Sequence, residues 1–102
     1  MSPRMQQLQK MLEREPADPF LLYGIGMEHK KALRWEDAVE FFDRTIAADS
    51  GYCYAYYQRG LVYEQQGEFA LAKQSYRDGI TAAKVKGDAH AESELQTALP
   101  ML

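Results

Sequence analysis

Two stretches decide the reading: PFLLYGIGMEHKKALRWEDAVEFFDRTIAADSGY, residues 19–52, and CYAYYQRGLVYEQQGEFALAKQSYRDGITAAKVK, residues 53–86. Laid over each other at an offset of 34 they align without a gap, with five identities: Tyr23/Tyr57, Gly26/Gly60, Ala38/Ala72, Ile46/Ile80 and Ala48/Ala82. Three further positions set ring on ring, Phe20/Tyr54, Trp35/Phe69 and Phe42/Tyr76. Small residues fall on small ones and rings on rings, so the repeat is one of packing and not of composition. Each copy divides in two. Leu22, Ile25, Gly26 and His29, matched by Tyr56, Gly60 and Tyr63, mark one helical face; Trp35, Ala38, Phe42 and Ile46, matched by Phe69, Ala72, Tyr76 and Ile80, mark a second. Asp18-Pro19 reads as an N-cap followed by proline at the first helical position, where the missing amide proton costs nothing. Gly67 separates the helices of the second copy, and Ser50-Gly51 separates the copies. No stretch alternates with a period of two, so the fold class is all-α.

The rest of the composition narrows the function. A chain of 102 residues suits one small domain, too thin for a large enzyme with a deep, walled site. With 46% hydrophobic and 26% charged residues it folds as a globular protein. Twelve basic against fifteen acidic residues, net charge −3, leave no basic excess to collect phosphates, so neither nucleic acid nor an anionic membrane is an expected partner. The single Cys53 forms no internal disulfide, and no Cys/His cluster has zinc spacing. No metal, no cofactor and a reducing compartment are the expectation. Met1 to Gln7 carries no apolar leader core and no apolar run approaches the ~18 residues of a membrane span, so a cytoplasmic location without membrane insertion is expected.

Numbered from Pro19 and Cys53, the copies carry a large residue (Leu22, Tyr56), a glycine (Gly26, Gly60), an aromatic opening the second helix (Trp35, Phe69), a small residue (Ala38, Ala72) and a central aromatic (Phe42, Tyr76). This pattern resembles the tetratricopeptide repeat, a helix-turn-helix unit of 34 residues. Tyr63 matches the family's later tyrosine, which His29 replaces; Gly79 matches its second small residue, which Thr45 matches loosely. The closing proline is absent from both copies, where Ser50 and Lys84 stand, and present ahead of them as Pro16. The resemblance implies a right-handed superhelix of antiparallel helix pairs, about six helices in all, in a short free-standing protein of bacterial type.

In that phase residues 1–18 supply an N-terminal half-repeat helix, started by Ser2-Pro3, with Leu8 at the central position, Met11 and Leu12 behind it and Pro16 closing the unit. Residues 19–52 and 53–86 are the two repeats, and 87–102 form a C-terminal capping helix. Strict phase there places His90, Glu94 and Thr97 at packing positions; a shift of one residue, from an insertion near Val85 to Asp88, places Ala91, Leu95 and Ala98 instead. Pro100 is expected to end or kink this helix. The interior small residues Gly26, Ala38, Gly60, Ala72 and Gly79 point to close helix approach, with the rings Phe42, Tyr63 and Tyr76 filling the space alongside.

The resemblance also implies a site. The first helix of each repeat lines a concave wall, which carries Phe20, Tyr23, Met27 and Lys30 in the first copy and Tyr54, Tyr57, Leu61 and Glu64 in the second. Rigid rings and an adaptable methionine bury much area at low entropic cost, which suits a non-enzymatic module that binds a peptide or helix of another protein, with Gln58 and Lys30 orienting it. The alternatives are a homo-oligomeric scaffold joined through the same groove or the solenoid ends, and a groove covered internally by Ala91, Leu95 and Leu99. Family members that clamp a chaperone's C-terminal carboxylate use cationic groove residues; Tyr23, Met27, Gln58, Asp88 and Glu92 stand there, none of them cationic, which argues against that role. His29-Lys30-Lys31 with Arg34 either docks an acidic group or simply complements a helix dipole. Glu36, Asp37, Glu40 and Asp43 read as a solvated helix face. Cys53, opening a helix, is either a thiol of lowered pKa or an ordinary half-buried one. No local motif sets a nucleophile beside either histidine, so no catalytic residue is assigned.

Overall fold

A computed structural model describes residues 2–99, and among these the chain forms six α-helices: α1 (Pro3–Arg14), α2 (Pro19–Lys31), α3 (Trp35–Ala48), α4 (Cys53–Gln65), α5 (Phe69–Lys86) and α6 (Ala89–Ala98). Each helix packs on the next, most extensively α2 on α3 and α4 on α5, while α2 touches α4 and α4 touches α6. These are antiparallel hairpins stacked so that their first helices line up. Ser2 Oγ accepts from Met5 N at 3.0 Å, Asp18 Oδ1 from Phe20 N at 2.9 Å and Asp88 Oδ1 from Ala91 N at 3.0 Å, so α1, α2 and α6 have side-chain caps.

The turn inside each hairpin is the same device twice. Arg34 N donates to His29 O at 2.9 Å, and Glu68 N to Tyr63 O at 2.8 Å. That six-to-one bond requires a left-handed residue just past the helix, supplied by Leu33 (φ 62) and Gly67 (φ 74). Glycine takes this conformation freely, whereas a leucine there costs about 1–2 kcal/mol.

The core forms three clusters. Met5, Leu8, Leu21 and Ile25 join α1 to α2. Ala38, Phe42 and Val62 join α2, α3 and α4, and Cys53, Ala72, Tyr76, Ala83, Ala91 and Leu95 join α4, α5 and α6. Close neighbours explain three interior glycines: a Cβ on Gly26 would stand 2.6 Å from the Phe42 ring, one on Gly60 would run into the Tyr76 ring, and one on Gly79 would stand 2.8 Å from Tyr56 Cβ. Tyr63 packs against the α4–α5–α6 cluster, which contains the small residue Ala72. In α1 the reading is corrected. Met11 is 47% exposed and Met5 is buried in its place, because Met5, Leu8 and Leu12 share the face toward Leu21 and Met11 lies off it. At the other end Ala91 and Leu95 are buried while His90 and Thr97 face solvent, the one-residue shift. It follows an α5 of 18 residues against 14 in α3, stopped by left-handed Gly87. Pro100 lies outside the described residues.

A polar tie crosses the junction between the hairpins. Arg59 of α4 donates to Asp43 Oδ1 of α3 at 2.8 Å and to Ser75 Oγ of α5 at 2.9 Å, and Ser75 Oγ donates on to Tyr56 O at 2.8 Å. Thirty-four residues earlier, Ile25 occupies the same place and packs on α1.

Candidate functional site

Tyr23 of α2 and Tyr57 of α4 occupy equivalent places. The Tyr23 ring lies 5.8 Å from Phe42 at 48°, and the Tyr57 ring 6.1 Å from Tyr76 at 45°. Both are half-buried, and each rests on the ring that fills the glycine notch. Tyr23 also stacks on Tyr52 at 5.0 Å, and Tyr54 meets Tyr57 edge-on at 6.5 Å. Burial, then the neighbouring Tyr52 phenol, pushes the Tyr23 phenol above its ordinary value, with Gln58 opposing, so the Tyr23 hydroxyl stays protonated near neutrality.

The remaining residues spread along the wall. Phe20, in the first turn of α2, is 63% exposed. Met27 packs at the edge of the α2–α3–α4 cluster, and Leu61 of α4 is half-buried. Lys30 Nζ donates to Gln58 Oε1 at 2.6 Å, tying α2 to α4, and burial lowers the Lys30 pKa. The equivalent Glu64 turns inward and accepts from the Tyr76 hydroxyl. The two polar groups expected to orient a partner are therefore bonded to each other.

The terminal helix does not pack on α2. Ala91 and Leu95 are buried against Cys53, Ala72, Tyr76 and Ala83, and Leu99 lies at the edge of that cluster; α6 meets α4 and α5, not α2. Asp88 caps α6, and Glu94 lies beside Tyr54, whose pKa is raised by burial and then by the Glu94 and Asp88 charges.

Of the two readings of Cys53, the ordinary buried thiol holds. Burial and the Asp88 charge push its thiol up, not down, and Sγ donates to Gly51 O at 3.3 Å, so desolvation outweighs the helix dipole. Among the described residues no group of three His, Cys, Asp or Glu side chains is placed to hold a metal ion, and no helix is long and apolar enough to cross a membrane. Glu36, Asp37, Glu40 and Asp43 are exposed. His29 Nδ1 accepts from Arg34 Nε at 2.9 Å. Sequence reasoning missed Tyr52 and Arg59. Tyr52 precedes its helix and has no helical phase, and Arg59 was masked by the apolar Ile25 that it replaces.

Stacked two-helix units with aligned first helices define a helical-repeat protein of the kind that serves as a protein-interaction module. No family model matches the chain. A TPR repeat-containing protein of Pseudomonas aeruginosa is 30% identical over 95 residues, spanning 93% of this chain and 90% of the relative. The crystal structure of a tetratricopeptide-repeat domain protein from Salinibacter ruber superposes with a TM-score of 0.76 at 32% identity, covering 82% of this chain and 93% of that one. The solution structure of a Bordetella parapertussis protein gives a TM-score of 0.84 at 25% identity, covering 99% and 88%. The chain belongs to the tetratricopeptide-repeat family.

Proposed function

We propose that the protein is a non-enzymatic module that takes a short segment of another protein against the wall of α2 and α4. In this reading residues 19–52 and 53–86 are the two working repeats, flanked by a half-repeat at 1–18 and a cap at 87–102. The observation that carries it is the pair Tyr23 and Tyr57, held in the same pose by Phe42 and Tyr76. A ring fixed on one face loses little entropy when a ligand covers the other. Phe20, Met27, Tyr54 and Leu61 extend the apolar track, and Lys30 with Gln58 supplies a bonded pair that opens to a carboxylate or a backbone group. With two repeats contributing, the contact falls below about 1,200 Å² and its affinity is modest. The single buried cysteine suits a reducing compartment such as the cytoplasm.

The test is affinity capture with wild type and with Tyr23→Ala/Tyr57→Ala, each checked for helicity by circular dichroism. Loss of specific partners with helicity retained is the expected result; identical partner sets would remove the groove from consideration.

A further inference from the structure

Beyond the aromatic track, the α2–α3 turn holds a cleft of about 500 Å³ lined by Met27, Lys30, Lys31, Leu33, Trp35 and Gln65, with Glu28 in one wall. Leu33 is its unusual member. It is 67% exposed at φ 62, while its counterpart Gly67 meets the same turn at φ 74 without a side chain. The turn needs a left-handed residue and nothing in the hairpin needs a leucine there, so an apolar group is held in water against the local backbone preference. Of the charged side chains that line it, the lysines are the less engaged. Glu28 is engaged elsewhere, with Arg4 Nε at 3.5 Å and the Ser2 hydroxyl at 3.1 Å, and its side chain is 12% exposed. Lys31 is exposed and, among the described residues, has no ion pair, and Lys30 holds only the neutral Gln58.

We propose that this cleft docks a short acidic segment of another protein, with one large apolar side chain seated on Leu33, Trp35 and Met27 and a flanking carboxylate bonded to Lys31 and Lys30. This rests on the interaction-module reading, since Met27 and Lys30 belong to the same wall, and it names the partner's chemistry at the outer end of that wall. Burial of the anchor supplies affinity, and the lysines select acidic flanks and make association salt-dependent.

Three capped nine-residue peptides test it: a central leucine between glutamates, the same leucine between lysines, and a serine between glutamates. Binding is followed by fluorescence anisotropy and by the amide NMR shifts of the protein. The acidic leucine peptide should bind about tenfold more tightly than either control and shift the amides of Met27, Leu33 and Trp35. Leu33→Gly should weaken it about fivefold or more while raising the melting temperature, and Lys31→Glu should weaken it and flatten its salt dependence. A stabler variant that binds less cannot be explained by misfolding. Equal binding of the lysine peptide, affinity unchanged in Leu33→Gly, or no peptide-dependent shifts would overturn the proposal. So would a concentration-dependent dimer of the wild type that Leu33→Gly dissolves, since the occupant would then be a second copy. Should Tyr23→Ala/Tyr57→Ala lose its partners while the peptides fail, this inference alone falls; should that variant keep every partner, the groove reading falls.

Discussion

The ring over Gly26 is a phenylalanine and the ring over Gly60 a tyrosine, and that one oxygen redirects the charges around it. Buried Tyr76 needs an acceptor and finds it in Glu64, which keeps that carboxylate inside the second hairpin. Phe42 asks for nothing, so Lys30, at the position equivalent to Glu64, reaches across to Gln58 on the wall. The same contrast recurs at Ile25 and Arg59: the first packs on the apolar face of α1, and the second ties α3, α4 and α5 through Asp43 and Ser75. Leu33 and Gly67 complete it, a strained turn beside a relaxed one. Substitutions between the copies are therefore matched in sets. Glu64 of the second hairpin is held by Tyr76 and Arg59 by Asp43 and Ser75, whereas Lys30 of the first reaches only the neutral Gln58.

The comparison breaks most visibly at the glycine notches. Gly60→Leu drives a side chain into the Tyr76 ring and should cost ~1–3 kcal/mol, lowering the melting temperature by at least ~4 °C in a domain of this size. Gly26→Leu should behave alike, and thermal denaturation that leaves either variant at the wild-type midpoint would refute the shared notch. Next in size is Tyr76→Phe, which converts the second notch to the chemistry of the first. It leaves the Glu64 carboxylate without its donor, at about 1–2 kcal/mol by denaturant titration. Adding Glu64→Lys should recover part of that loss, because the double variant reproduces the Phe42 and Lys30 pairing. Smaller still is the exchange at the turns. Leu33→Gly should stabilise by about 0.5–1 kcal/mol and Gly67→Leu should destabilise by about 1 kcal/mol; the same sign for both would mean that the two turns are not equivalent.

The 34-residue frame was legible because rings and small residues report packing directly, and Gly26 with Phe42 or Gly60 with Tyr76 is a pair that the sequence displays openly. Six helices and their order follow from that frame together with Asp18-Pro19, Ser50-Gly51 and Gly67. What could not be read depends on which helix sits opposite. In α1, Met5 and Met11 are equally apolar, and only Leu21 on α2 decides which is buried. For Cys53 the helix position argues for a lower pKa, and the enclosing α5 and α6 reverse it. The family pattern singled out Tyr23 and Lys30, whereas the contacts that set their exposure, Tyr52 and Gln58, come from the linker ahead of α4 and from α4 itself.

His29 offers the finest discrimination between the copies, since Tyr63 stands at its equivalent. The imidazole lies 5.4 Å from the Phe41 ring and accepts from Arg34 Nε, so Nδ1 must be unprotonated for that bond to form. Burial first, and then the Arg34 charge, lower its pKa below the ordinary 6.5. A base whose pKa is lower when folded is protonated first in the unfolded chain, so its contribution is complete above the unfolded value and is lost as pH falls through it. The wild-type melting temperature should therefore decline between pH 7.5 and 5.5 with a component from His29, small because the ring is partly solvated. His29→Tyr should remove that component, flattening the decline while leaving the midpoint at pH 7.5 at or above wild type. A variant with an unchanged slope would show that solvent satisfies His29 as well as Arg34 does, and that the two copies differ here in shape alone.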